Sequence, residues 1–200
     1  MNDLAHIEFN PHLPGMIEAA KKLGYGEVIK FIIEFNEPIW ERNEIVGRNK
    51  MKNLGFVFGD TPIPTWWTQA PGKVSTLTGW FGGRPVRKYK HLNHEGLLQL
   101  ATDSLCQIFA IDHSVLLEKM TAWTIFNWAT DPYSLGGYAY ASLDRMKNIQ
   151  ILTRPVSDTI FISGEAMYKG IELGTVEAVT CLARKRSARK VTRKMNPDIR

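Results

Sequence analysis

Val28-Ile29-Lys30-Phe31-Ile32-Ile33-Glu34-Phe35 is the stretch that decides the architecture. Its β-branched and aromatic residues predict a strand interrupted by one lysine. On physics alone Lys30 belongs to the wet face of an alternating strand, because strands with one polar face are common; the rival is a lysine aimed at a polar partner in a pocket. Upstream, Ile7-Glu8-Phe9-Asn10-Pro11-His12-Leu13-Pro14 reads as the end of a strand and a loop, with Pro14 opening a helix over 15–23. Gly24-Tyr25-Gly26 reads as the stop of that helix. Downstream, strands are expected over 54–58, 65–68 and 74–81, the last running into Gly82-Gly83. Asn93 is placed to cap a helix over 94–110, where Leu97, Ala101, Leu105, Ile108 and Phe109 form one apolar stripe. A strand over 121–129, a glycine-containing loop over 131–140, a short apolar strand over 159–163 and a helix from 175 complete the pattern. Strands and helices alternate without regular βαβ spacing, which predicts an α+β fold built on a mixed β-sheet with helices.

The chain has 200 residues, 44% of them hydrophobic, enough to bury a core. Cys106 and Cys181 are scattered with the five histidines, so neither a disulfide framework nor a metal site is expected. The absence of an apolar run of about 18 residues or of a basic-then-apolar start predicts a soluble chain without membrane association. The two cysteines fit a reducing, cytoplasmic setting. The net charge of +5 is unevenly placed: from Arg184 to Arg200 eight Lys or Arg face one acid, Asp198, whereas residues 1–183 hold 17 basic and 19 acidic groups. Positive charge therefore concentrates in a basic tail over 184–200. Arg184, Lys185, Arg186, Arg189, Lys190, Arg193 and Lys194 surround a helix axis there, which predicts solvation and no specific nucleic-acid recognition.

Two candidate motifs fail on context. Gly24-Tyr25-Gly26 lacks the third glycine of a dinucleotide fingerprint and follows a helix, where the fingerprint must follow a strand. His91 and His94, with Glu95, have no third partner and read as a solvated helix start. By contrast, residues 123–140 pack Trp123, Phe126, Trp128, Tyr133, Tyr138 and Tyr140 around Gly136-Gly137. Aromatic walls with glycines that permit close approach suit a flat ring ligand, and a purely structural aromatic cluster is the other reading. Near the end, Phe161-Ile162-Ser163-Gly164-Glu165-Ala166 runs from apolar residues into a glycine-acid turn, and Gly174-Thr175-Val176-Glu177-Ala178 opens a helix whose N-terminus can face a ligand.

In order and spacing these segments resemble the C-terminal half of the flavin amine oxidases, which include monoamine oxidases, polyamine oxidases and flavin-dependent lysine-specific histone demethylases. The likeness covers most of residues 4–183. It is carried by Phe9 to Pro14, Leu23 to Lys30, Glu37-Pro38-Ile39-Trp40, Leu77 to Gly83, Trp128 to Tyr138, Gly164-Glu165 and Gly174 to Ala178.

The resemblance implies non-covalent FAD, an amine substrate, and oxidation to an imine with hydride transfer to flavin and peroxide formation. It implies that Lys30 lies near flavin N5 and assists reoxidation, and that Tyr138 forms one wall of the cage aligning the amine. By the same likeness Trp128 and Tyr133 line the flavin, Gly164 and Glu165 form the flavin-contacting turn, and Gly174, Thr175 and Val176 start the helix beside the ring. Gly137 stands where monoamine oxidases carry the flavin-linked cysteine, and Thr175 stands where they carry the second cage tyrosine. The resemblance further implies a substrate-binding domain over 1–157 and the returning strand and helix of an FAD-binding domain over 158–183. Because the family's nucleotide fingerprint has no counterpart here, weak or absent FAD binding by the isolated chain and a separate N-terminal FAD-binding subunit are expected. The competing reading is a non-catalytic remnant that serves as an interaction module.

Overall fold

The computed structural model describes residues 8–47, 51–170, 173–176, 178 and 180. In chain order its elements are α1 (Pro14–Lys21), β1 (Gly24–Gly26), β2 (Val28–Phe35), α2 (Asn43–Val46), β3 (Phe56–Phe58), β4 (Thr65–Thr68), β5 (Thr76–Gly82), α3 (Val86–Tyr89), α4 (His94–Phe109), α5 (His113–Lys119), β6 (Met120–Asn127), β7 (Tyr138–Tyr140) and α6 (Arg145–Leu152). Helices and antiparallel sheets coexist in an α+β fold with open sheets. Two compact units divide the chain: residues 27–136 form one, and residues 1–26 with 137–200 form the other. The basic tail lies outside the described residues, and among those described no helix is long and apolar enough to cross a membrane.

The 27–136 unit is an antiparallel sheet in the order β3-β4-β5-β2-β6. Its alternation is that of a sheet with one covered face: Ile29, Phe31, Ile33 and Phe35 of β2 are buried, while Lys30, Ile32 and Glu34 point the other way. The covered face packs on α4 and α5 through Leu97, Leu105, Phe109 and Leu116. Asn93 caps α4 by accepting from the Gly96 N–H at 2.9 Å, and Ala110 ends it in the left-handed conformation. Gly79 is required by packing, since a Cβ there would lie 2.7 Å from the Trp66 ring that fills the core beside Phe31. At the sheet's margin Glu27 holds Lys90 at 2.6 Å and Arg87 at 3.2 Å. Burial pushes the Glu27 carboxyl up, but hydrogen bonds and charge from Lys90 and Arg87 outweigh it and hold it below its ordinary value. The two sheet edges differ: β3 has three residues, whereas β6 has eight, none charged, paired to β2 on one side and exposing Trp123 and Phe126.

The second unit contains the two-stranded ladder of β1 and β7, with Gly24 opposite Tyr140 and Gly26 opposite Tyr138. Here the reading of Gly24-Tyr25-Gly26 as a mere helix stop is corrected. α1 does end at Lys21, but the three residues form a strand, and the 131–140 loop gives way to β7 at Tyr138. The glycines are what permit it: a Cβ on Gly24 would sit 2.6 Å from the Tyr140 ring and carbonyl oxygen. Leu13, Met16, Ala19, Ala20 and Leu23 pack with Ile149, Leu152 and Met167 into this unit's own core. The apolar strand expected over 159–163 is also corrected. Residues 157–159 form a turn closed by an isolated Val156–Ile160 bridge, and 161–163 run on without regular structure, Phe161 being exposed and finding no strand to pair with among the described residues.

Candidate functional site

On the uncovered sheet face of the 27–136 unit, Lys30 is half-buried at the middle of β2. Its cross-strand neighbours are Trp80 on β5 and Phe126 on β6. The ammonium lies 6.0 Å from the Trp67 ring centroid, at the limit of a cation–π contact. Phe126 in turn stacks on Trp128, centroids 5.8 Å apart and planes 14° from parallel. Lys30 thus stands opposite Phe126 in the ladder, and Phe126 stacks on Trp128. Trp128 is 37% exposed, so its indole is open to a ligand. Tyr133 occupies a turn in which the Asp131 carboxylate accepts from the Tyr133 and Ser134 N–H groups at 3.1 and 2.7 Å. Its ring is 95% exposed and, unlike Trp128, is backed by little protein. A hydrogen bond from the Ser134 side chain is the chief cause holding Asp131 below its ordinary value.

The other predicted residues belong to the second unit and converge. Tyr138, on β7, packs against Gly174: a Cβ built on that glycine would lie 3.6 Å from the Tyr138 Cβ and Cγ. Burial pushes the Tyr138 phenol above its ordinary value. Gly164, at φ 156°, swings the chain into a 3-10 turn over Glu165–Met167. The Glu165 carboxylate then accepts from the Ala139 N–H at 3.0 Å and from the Gly174 N–H at 2.7 Å. Gly174 has φ +79°, a conformation that favours glycine, and Thr175 follows as an N-cap whose hydroxyl oxygen accepts from the Ala178 N–H at 3.3 Å. Val176, at the helix start, is 74% exposed.

Tyr138, Glu165, Gly174 and Thr175 are therefore assembled locally, and Lys30 and Trp128 are assembled on the sheet. Sequence reasoning missed Trp67, Trp80 and Phe126 as neighbours of Lys30. Strict alternation from Trp128 back to Phe126 was a usable signal for one of them; the other two come from strands whose register the sequence does not state. Cys106 is free and buried, and burial pushes its thiol to about 11, so it is a core side chain with no thiolate character at neutral pH.

A sequence profile of the flavin containing amine oxidoreductases matches residues 1–180. Among curated proteins, the chain is 27% identical over 172 residues to lysine-specific histone demethylase 1 homolog 3 of Arabidopsis thaliana, a match covering 82% of this chain and 10% of that protein. It is 26% identical over 198 residues to polyamine oxidase 1 of Oryza sativa subsp. japonica, covering 82% and 37%. It is 27% identical over 182 residues to flavin-containing amine oxidase B of Cavia porcellus, covering 86% and 33%. The chain thus spans between 10% and 37% of the length of these three relatives.

Proposed function

This chain belongs to the flavin-containing amine oxidoreductases, and from that membership we propose that it is the C-terminal part of an FAD-dependent amine oxidase, inactive until an FAD-binding half is supplied. The observation that carries this reading is the convergence of Tyr138, Glu165, Gly174 and the Thr175 cap, four positions the family likeness assigns to one site, in one local constellation.

The residues present fit the ring end of a flavin and not its nucleotide end. For the ring, the 27–136 unit by itself offers the exposed indole of Trp128, and the other unit by itself offers the exposed Val176 at a helix start and glycines at 164 and 174 with positive φ. For the pyrophosphate the 200 residues contain no G-x-G-x-x-G turn. When bound, the flavin supplies the two-electron acceptor that turns an amine into an imine and passes the electrons to oxygen as peroxide. The chain's own residues supply orientation and a dry setting. Tyr138 would offer the amine an apolar wall and a hydroxyl, Trp128 and Phe126 would exclude water on their own unit, and Lys30 would supply a positive charge for the oxygen-consuming half-reaction. By the same reading Tyr133 would line the flavin from the 27–136 unit, and Gly164, Glu165, Gly174, Thr175 and Val176 would contact it from the other, with Thr175 standing where relatives carry the second cage tyrosine. Residues 1–157 act as the substrate side and 158–183 as the returning segment of the FAD domain. The free Cys106 suits a cytoplasmic setting.

The purified chain, desalted after incubation with FAD, is expected to be colourless. Co-expressed with a flavin-binding half from a related oxidase, it is expected to give a yellow complex that makes peroxide from an amine. In that complex Lys30→Met is expected to slow the oxygen-consuming half-reaction on the order of 10- to 100-fold, the scale of losing one positioned charge, while amine oxidation changes little. Stopped-flow measurement separates the two. A complex that binds FAD and produces no peroxide from any amine would refute the oxidase reading and favour an interaction module.

A further inference from the structure

The Glu165 side chain sits at a fork. Its backbone is fixed from behind: the turn Glu165–Met167 closes with Met167 N–H to Gly164 O at 3.0 Å and Tyr168 N–H to Glu165 O at 2.9 Å, and the Met167 side chain is buried in the core that Leu13, Met16 and Ile149 share. From that anchored position the carboxylate reaches two separate pieces of chain, one oxygen to each. Oε2 accepts from Ala139, the residue after Tyr138 on β7; Oε1 accepts from Gly174, the residue before the Thr175 cap. Both distances lie in the range of N–H···O hydrogen bonds, the one to Gly174 at its short end. On its far side β7 is held by the ladder to β1 and by the Gly137 N–H donated to Gly26 O at 2.8 Å. That ladder fixes Tyr138 but says nothing about Gly174. The described hydrogen bonds that tie Gly174 to β7 run through Glu165, and they hold it against the Tyr138 side chain.

We propose that Glu165 is a positioning residue, whose two carboxylate oxygens set the spacing between Tyr138 and the Gly174–Val176 helix start. What the paired elements hold rests on the oxidase reading; the clip itself does not. A carboxylate is the group this fork needs, since it presents two acceptors to two donors, whereas the amide of glutamine presents one acceptor and would turn its NH2 toward the second N–H. Aspartate is one methylene too short to reach both while Met167 stays in the core.

The test uses the full chain without flavin, labelled for amide NMR. In Glu165→Ala the Ala139 and Gly174 amide resonances should move away from hydrogen-bonded positions and their exchange with solvent should rise about tenfold or more, as expected for loss of a bond to a charged acceptor. Contacts between the Gly174 α-protons and the Tyr138 ring should be lost, and the Gly137 amide should be unaffected. Glu165→Gln should rescue one of the two amides and not the other, and it carries the test if the alanine variant fails to fold. Unchanged exchange at Ala139 and Gly174, or an equal rise at Gly137, Ala139 and Gly174 in Glu165→Gln, would overturn the proposal, the second by showing a general prop. Failure of the reconstituted complex to make peroxide would sink the oxidase reading and leave the clip standing.

Discussion

The two units of this chain reach order by different means. The 27–136 unit buries twenty-one described residues in one apolar cluster, including Phe31, Trp66, Phe109 and Leu116, whereas the other gathers eight. Where apolar burial is that large, it carries most of the fold. Where it is small, single polar contacts set geometry. Glu165 holding Ala139 and Gly174, the Thr175 cap and the Arg145 guanidinium donating to the Tyr168 carbonyl are contacts of that kind. The sheet is thus a platform for Lys30 and Trp128, while the setting of Tyr138 hangs on a few directional bonds.

The largest expected loss is at Phe31. It is fully buried against Trp66, and Phe31→Ala should cost ~3–5 kcal/mol through lost burial and the cavity left behind. Urea unfolding followed by tryptophan fluorescence measures it; a cost under about 1 kcal/mol would mean that the platform is loosely packed and the asymmetry between the units is illusory. Next comes Gly24→Ala, whose Cβ has no room beside Tyr140 and should cost ~1–3 kcal/mol, the usual penalty of overpacking. Amide exchange should accelerate in β1 and β7 and stay unchanged in β2 and β5. Equal acceleration in both sheets would show the units to be one cooperative body.

The smallest effect is electrostatic. Because the Glu27 carboxyl is held below its ordinary value, the folded state prefers the ionised form; that stability is present above the ordinary carboxylate range of about 4.3 and is lost as pH falls through the lower folded value. Glu27→Gln should lower stability at pH 7 slightly and flatten the acid side of a stability–pH curve. An unchanged slope would leave the Lys90 and Arg87 contacts without energetic weight.

Much of this was legible in advance because it is local. The alternation of Ile29, Phe31 and Ile33, the Asn93 cap with its stripe from Leu97 to Phe109, and the helix opening at Gly174-Thr175 depend on neighbours within a few positions. The β1–β7 ladder was not legible: a three-residue strand with two glycines carries no strand propensity, and its signal lies in the tyrosines far along the chain that need those glycines. α6 was passed over because Arg145 and Asn148 are buried among Ile149 and Leu152, which erases the polar–apolar period. At the site the residue types could be named, but not the Glu165 fork, since no spacing rule states which N–H groups a carboxylate will meet.

The long rim at β6 has a practical corollary. Eight residues, Met120–Asn127, with no charge or proline, pair on one side with β2 and on the other with no strand among the described residues, and they expose two large rings. Yield and shelf life should fall as concentration rises, and a molecule that covers this rim during synthesis would act as a chaperone before it acted as anything else.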